Sequence, residues 1–291
     1  MNRFGNVTGQ RGIALVVVLW LLMLLTVVAA SHARIVRTET RLAANHVEAS
    51  KARSLAEAAA YHAILELLVR DEVQRWPIDG NTTRINYREG YVDISIRDTR
   101  GLVDLNHVQA ALLDTVLQGA DVGEQQRMAL VDAILDWRDK DNLKHLNGAE
   151  DDDYRHAGLH WTVRDGPFSS VEELRYVLGM NDRLYERLVP YLTVHSGQAA
   201  VFPDLAPPWL ARLLTGRTTE PTAGMTGLRS RGPNFRVTVQ ATGKGGATAS
   251  LDMVVHIAPG DKQPYAILAW RSPSLAVTNP APERQEDAAS D

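Results

Sequence analysis

The chain contains no cysteine among its 291 residues. That excludes disulfides, thiolate zinc sites and cysteine nucleophiles. In an oxidising compartment, stability would have to come from packing or from a bound metal. Neither proline nor glycine occurs between Gly12 and Pro77, so nothing in that stretch breaks a helix. Charge is absent from Ile13 to Ala30. Over the whole chain, 31 basic and 35 acidic residues leave a net charge of −4, which carries no overall nucleic-acid signature. No internal repeat is visible. The four residues Gly243-Lys244-Gly245-Gly246 lie between strand patterns and read as a hairpin turn, so no phosphate loop is present.

What is present begins at the N-terminus. A polar leader carrying Arg3 and Arg11 ends at Gly12, and the uncharged run Ile13–Ala30 follows. Its length sits at the lower edge of what spans a bilayer. A cleaved secretory signal is the bland alternative, since Ala29-Ala30-Ser31 and Ser31-His32-Ala33 each fit a small-x-small site. Against it, the pattern continues past Ala33 with Ile35, Leu42, Val47, Ala52, Leu55, Ala59, Ile64 and Leu68 on a narrow apolar stripe. One helix over Ile13–Val69 would be roughly 85 Å long at 1.5 Å per residue. It would have a membrane half and an aqueous half, and the basic leader favours a cytoplasmic N-terminus.

Trp76-Pro77 through Gly80 is expected to end this helix. Arg84–Arg88 and Tyr91–Arg97 alternate around Glu89-Gly90 as a β-hairpin. Helical patterns then occupy Val108–Leu117, Glu124–Trp137, Val171–Val177, Arg183–Tyr191 and Trp209–Leu214. Strand patterns return at Phe235–Ala241, Ala249–Ile257 and Tyr265–Trp270. The expected class is therefore α+β: a long N-terminal helix, a small antiparallel sheet drawn from both ends of the chain, and a large α-helical domain inserted between strands. The corresponding boundaries are a leader at 1–12, the helix at 13–75, the sheet at 76–103 and 233–272, the insertion at 104–232 and a disordered tail at 273–291.

Two acidic clusters, Asp136-Trp137-Arg138-Asp139-Lys140-Asp141 and Gly148-Ala149-Glu150-Asp151-Asp152-Asp153, are joined by a short loop. Without a cation these carboxylates would repel one another. Hard cations with many oxygen ligands, Ca²⁺ above all, suit such a set, although the spacing is not that of an EF-hand. A solvated acidic loop is the competing reading. The candidate ligands are Asp136, Asp139, Asp141, Glu150, Asp151 and Asp153, with Asp141, Glu150 and Asp151 preferred and Lys144 a lesser participant.

Other motifs are weaker. Ser170 and Glu173 form a candidate capping box. The helix pair around Gly179-Met180-Asn181 has the outline of a helix–hairpin–helix, but its second glycine is replaced by Asn181, and Arg183 and Arg187 are offset by Asp182 and Glu186. A packing role is favoured over DNA binding. His156 and His160 lack the glutamate of a zinc-hydrolase helix, and Ser196 has no nucleophile-elbow context.

Gln10-Arg11-Gly12 followed by Ile13-Ala14-Leu15-Val16-Val17-Val18-Leu19-Trp20-Leu21-Leu22 resembles the prepilin signal of type IV pilins and type II secretion pseudopilins. The resemblance implies cleavage by a prepilin peptidase between Gly12 and Ile13 and methylation of the new N-terminus. Most such subunits carry Glu at the fifth mature position, where this chain has Val17. That departure, with Asp-Trp-Arg-Asp-x-Asp at 136–141 and Gly-Ala-Glu-Asp-x-x-Tyr at 148–154, is similar to the protein K family of minor pseudopilins. The chain differs from that family's pattern at Asp104, Phe202 and Asp204.

The family resemblance implies a non-enzymatic tip subunit of the type II secretion pseudopilus. It would be single-pass in the bacterial inner membrane, with its soluble domain in the periplasm and Ca²⁺ in the inserted domain. Implied partners are the minor pseudopilins I, J and H, the major pseudopilin, the prepilin peptidase and the inner-membrane secretion platform, with no nucleic acid. The alternatives are a type IV pilus or DNA-uptake minor pilin, and a periplasmic metal-dependent hydrolase.

Overall fold

The computed structural model describes residues 11–69, 76–216, 232–272 and 276–277. The first ten residues of the expected leader, the segment 217–231 and residues 278–291 lie outside the described residues. One helix, α1 (Arg11–Leu68), forms the N-terminal part. From Leu15 to Val28 its large apolar side chains are all more than half exposed. It is long and apolar enough to cross a membrane. The helix ends at Leu68 instead of near residue 75, and Val69 N–H bonds the Glu66 carbonyl three residues back, the tightening common to a last turn.

The second half of α1 is amphipathic in a particular way. Ala52, Ala56, Ala59, Ala60 and Ala63 are at most 1% exposed. Small side chains let the helix axis lie close to a sheet whose facing residues are large. That sheet comprises β1 (Thr83–Tyr87), β2 (Gly90–Asp98), β5 (Asn234–Gly243), β6 (Ala247–Ile257) and β7 (Tyr265–Arg271), antiparallel and paired in that order. Alternation places Val92, Ile94 and Ile96 of β2 and Val237, Val239 and Met253 of the next strands on the buried face. The period of two is the reason these segments pair as they do.

Gly90 sits at φ +155°, and a Cβ there would lie 2.1 Å from the Thr242 carbonyl oxygen, so the β1–β2 turn requires glycine. A short β8 (Ala276–Val277) adds to β6 at Ala247–Thr248. The sequence reading, which treats 273–291 as a tail, does not anticipate it.

The insertion leaves the sheet after β2 through a single 3₁₀ turn at Thr99–Gly101. It is closed by a two-residue parallel pairing of β3 (Val103–Asp104) with β4 (Leu192–Thr193). Between these lie α2 (Ala110–Gly119), α3 (Glu124–Arg138), α4 (Asp151–His156) and α5 (Asp182–Leu188), and α6 (Pro208–Thr215) follows. Its core is a separate cluster around Leu105, Leu117, Leu130, Ile134, Tyr154 and Leu174.

Several local expectations are corrected. Residues 171–176 form a 3₁₀ helix. Glu173 reaches back to Ser169, whose backbone N–H and hydroxyl both donate to it, and Ser170 makes no side-chain cap, so the box expected at Ser170 does not form. Asn181, in the place of the missing hairpin glycine, is an N-cap: its Oδ1 accepts from Leu184 N–H at 2.9 Å. The second helix of that pair breaks at Leu188, with Pro190 in the 3₁₀ turn beyond it.

Sheet and insertion are joined by an ionic chain. Asp252 on β6 accepts from Arg236 at 2.9 and 3.0 Å and at 2.5 Å from Arg271, which also pairs with Glu172 of the insertion. Backbone contacts add to it: Asn234 Nδ2 donates to the His195 carbonyl at 2.5 Å, and the Thr99 hydroxyl to the Asn234 carbonyl at 3.1 Å.

Candidate metal centre

The last turns of α3 carry Asp132 and Asp136, four residues apart and so on one face. Asp136 is fully buried. It accepts from His145 N–H at 3.2 Å, from Ala149 N–H at 2.8 Å and from the His145 ring. Asp132 accepts from both the backbone and the side-chain nitrogen of Asn147, at 2.9 and 3.1 Å. The two carboxylates thereby stitch the loop 139–148 over the helix end. A Cβ on Gly148 would lie 1.9 Å from Asp136 Oδ2, so only glycine admits this approach. Arg138 fixes the other side by donating to the carbonyls of Leu105 and Val108 at 2.5 and 2.7 Å.

The second acidic cluster forms the start of α4, at the far end of the joining loop. Asp151, Asp152 and Asp153 occupy its first turn, where the helix dipole favours negative charge. Asp153 accepts from Glu150 N–H at 2.9 Å and from Lys144 Nζ at 2.7 Å. The Lys144 hydrogen bond, then the backbone bond, lower its pKa. Lys144 therefore serves Asp153. Asp152 pairs with Arg155, and Asp151 Oδ1 accepts from Val163 N–H at 3.3 Å. Asp141 Oδ1 holds Leu143 N–H at 2.9 Å at the exposed end of the loop.

Two carboxylates keep buried oxygens that have no donor among the described residues. Glu150 is 7% exposed, and both of its oxygens are buried with no hydrogen-bond partner. Burial first, then the charges of Asp136, Asp139, Asp165 and Asp151, push its pKa up to about 7. Asp139 Oδ1 is likewise buried and unpartnered, and burial followed by Asp141 and Asp136 raises its pKa. Asp136, Asp139 and His145 offer ligand atoms that all lie within 4.8 Å of one another. His145 has its own pKa raised chiefly by its hydrogen bond to Asp136.

Buried acceptor oxygens without donors, several carboxylates deep, are what a hard cation satisfies. The residues present fit such an ion. Asp139 and Glu150 would be the principal oxygen donors, with Asp151, Asp141 and Asp165 beside them. Asp136 acts mainly as the loop's internal acceptor, and Asp153 is committed to its cap and to Lys144.

Asp165 was not among the sequence candidates. It has φ +53°, and its charge acts on Glu150. The available signal was an Asp-Gly-Pro turn following the second acidic run, too distant in sequence to group with it.

The remaining candidates fall elsewhere. Gly12 and Ile13 are in the first turn of α1. Val17 lies further along it, 52% exposed. Ser196 donates its hydroxyl to Asp104 at 3.1 Å, and His107 Nδ1 lies 3.2 Å from the other oxygen of that same carboxylate. The carboxylate separates serine from histidine, so His107 is not placed as the base that an activated nucleophile needs.

The class defined by this architecture is a pilin-like subunit: one long N-terminal helix laid on an antiparallel sheet, here with a helical domain inserted between β2 and β5. Residues 95–197 match the family model described as type II secretion system (T2SS), protein K, and residues 11–60 match the PilX N-terminal model. Over residues 95–197 the chain is similar to the type II secretion system protein K family.

Type II secretion system protein K of Klebsiella pneumoniae is 28% identical over 205 residues, covering 63% of this chain and 62% of the relative. That of Aeromonas hydrophila is 27% identical over 213 residues, covering 63% of each. That of Dickeya chrysanthemi is 38% identical over 79 residues, covering 27% of this chain and 21% of the relative. The chain thus matches about 62% of the length of the Klebsiella protein. Among solved structures, a chain of the GspK-GspI-GspJ complex from the enterotoxigenic Escherichia coli type 2 secretion system is similar in fold. The TM-score is 0.59 at 15% identity, over 81% of this chain and 99% of that one.

Proposed function

We propose that the protein is a minor pseudopilin that begins the type II secretion pseudopilus, a structural subunit and not a catalyst. The observation that carries this reading is the continuity of α1. Its first half is uncharged and lipid-compatible from Ile13 to Ala30, and the same helix runs into an alanine face buried on the sheet. A subunit of this kind is anchored in the inner membrane as a precursor and stacks by its helix in a fibre. An inserted domain of this size would obstruct a further subunit stacking above it. Val17, where other pseudopilins carry Glu, offers no carboxylate to the amine of a subunit ahead. Both features suit a terminal position.

The partners proposed are minor pseudopilins I and J, consistent with the complex named for the structural relative, then H and the major pseudopilin. A prepilin peptidase would cut between Gly12 and Ile13 and the new N-terminus would be methylated. Ca²⁺ is proposed as the structural ion of the acidic site, held mainly by Glu150 and Asp139. When bound, it would supply charge neutralisation and rigidity; the residues themselves position the loop.

Processing is tested by expressing the full chain with its peptidase and measuring the mature N-terminus by mass spectrometry. The natural chain should begin at methylated Ile13, and Gly12→Val should remain uncut. Cleavage of Gly12→Val at the same bond would remove the prepilin reading.

A further inference from the structure

Between its apolar run and the sheet, α1 carries a row of arginines. Arg34, Arg37 and Arg41 follow one another at three and four residues and so share one face of the helix. All three are exposed, and none has an ion pair or a side-chain hydrogen bond among the described residues. Glu39 is the one carboxylate between Arg34 and Glu48. It stands two residues from both Arg37 and Arg41, and so on the other side of the helix. Glu48 itself is paired with Lys51 at 2.7 Å. The arginine face continues through Glu48 and Ala52, where it meets the turn between β5 and β6. A Cβ on Gly245 would lie 2.3 Å from Glu48 Oε2, and one on Gly243 3.9 Å from the Ala52 Cβ. The row therefore runs from this turn toward the apolar half of α1, on the side of the helix that the sheet occupies. β8 is antiparallel to β6, with Ala276 opposite Thr248 and Val277 opposite Ala247, so the chain leaves β8 in the direction of the same turn. Beyond it, the sequence of residues 278–291 carries Glu283, Glu286, Asp287 and Asp291 against the single Arg284.

We propose that the acidic segment Glu283–Asp291 docks on Arg34, Arg37 and Arg41, beneath the turn between β5 and β6. Charge complementarity selects this occupant, four carboxylates facing three guanidinium groups. The point at which the chain leaves β8 and the length that follows allow it. Glu283, six residues past Val277, can stand up to about 20 Å from it, and Arg41 is about 10 Å along the helix from Glu48. Lipid phosphate is the poorer match. Arg37 and Arg41 stand about 10 and 16 Å beyond Ala30 along the helix, whereas the headgroup layer is about 5–8 Å deep on each side of a bilayer. Each exposed ion pair is weak by itself. The segment is tethered to the sheet, however, which holds it at high effective concentration over the row. Because the groups are exposed, salt screens the contact. The inference stands on charges within this chain and does not depend on N-terminal processing or on a place in a fibre.

Because the chain has no cysteine, an introduced pair reports the contact directly. The full chain in phosphatidylcholine vesicles carries Ala288→Cys together with Thr38→Cys, which lies between Arg34 and Arg41 on their face. The control pairs Ala288→Cys with Ala43→Cys on the opposite face of α1. Under mild oxidation the disulfide within one chain should form at least about tenfold faster with position 38 than with position 43. That rate should fall at least about fivefold as salt rises from about 50 to about 500 mM. Arg34→Glu, Arg37→Glu and Arg41→Glu combined should slow it to the control rate. Adding Glu283→Arg, Glu286→Arg, Asp287→Arg and Asp291→Arg to those three should restore it, which a merely structural defect would not do. Equal rates at positions 38 and 43, no rescue by the exchange of charge, or a disulfide between two chains instead of within one would each overturn the inference. So would loss of the fast reaction when about a quarter of the lipid is phosphatidylglycerol, since lipid phosphate would then be the occupant.

Discussion

The two halves of this molecule hold themselves together by different means. In the helix-and-sheet frame, five alanines of α1 lie against β-branched and large aliphatic residues, each satisfying the period of its own element. In the insertion, irregular segments are pinned by buried charges: Asp104 accepts from Asn106, Ser196 and Gly197, Asp136 from His145 and Ala149, and Arg138 caps two carbonyls. Apolar packing is tolerant of small shifts and insensitive to pH. Charge-pinned loops depend on protonation, on cations and on single atoms. The frame is suited to repetitive stacking and the insertion to a site whose state responds to its surroundings.

That contrast can be broken at its strongest point. Asp136→Ala removes the acceptor of two backbone donors and a ring nitrogen, so the variant should lose about 4 kcal/mol of stability. Hydrogen exchange should show the loss of protection in α3, α4 and the loop 139–148, with β2, β5 and β6 retaining theirs. Equal loss in both regions would mean that the two halves unfold as one unit.

Glu150 gives the next effect. Its folded pKa, about 7, stands above the ordinary carboxyl value of 4.5, so the folded chain binds more protons than the unfolded one between these values. Stability without cation should therefore fall as pH rises from about 4.5 to 7, by about 3 kcal/mol in total, and stay low above that. Glu150→Gln should remove the largest part of the dependence, leaving the part that the raised Asp139, Asp165 and His145 contribute, and should raise the melting temperature at pH 8 in chelator. Added Ca²⁺ should stabilise the natural chain more than the variant, and more at pH 8 than at pH 5. An absence of any Ca²⁺ shift in thermal melting would count against the metal proposal.

A smaller effect is expected from the frame. Ala59, at 0% exposure, leaves no room for a larger side chain, so Ala59→Leu should cost about 2 kcal/mol by overpacking. The exchange pattern should be the reverse of that for Asp136→Ala, and the variant's stability should be independent of Ca²⁺. The least effect belongs to the joint between the regions. Glu172, 43% exposed where it meets Arg271, should cost about 0.5 kcal/mol or less when changed to Ala. Measured by urea denaturation, a much larger loss would identify this ionic chain as the principal link between frame and insertion.

Much of the frame was legible because its information is periodic. The stripe from Ala52 to Leu68 and the alternation of Val92, Ile94 and Ile96 announce a helix face and a strand face before any partner is known. The acidic site was legible only as composition. Asp136, Asp139, Asp141, Glu150, Asp151 and Asp153 all stand in the two acidic runs, but spacing does not separate their roles. Asp153 is taken by a helix start and a lysine, Asp136 by the loop it closes, and Glu150 keeps the unpartnered oxygens. Such assignments depend on which donors arrive in space, and Asp165 and Val163 arrive from beyond α4.

The sequence by itself determined the elements whose hydrophobic period matches their geometry. It fixed the uninterrupted N-terminal helix, the split antiparallel sheet and the presence of a helical insertion rich in acid. Only the tertiary structure decided which carboxylates are spent on holding the backbone and which remain for a cation. Burial and hydrogen-bond satisfaction are properties of contacts between distant residues, and no local pattern encodes them.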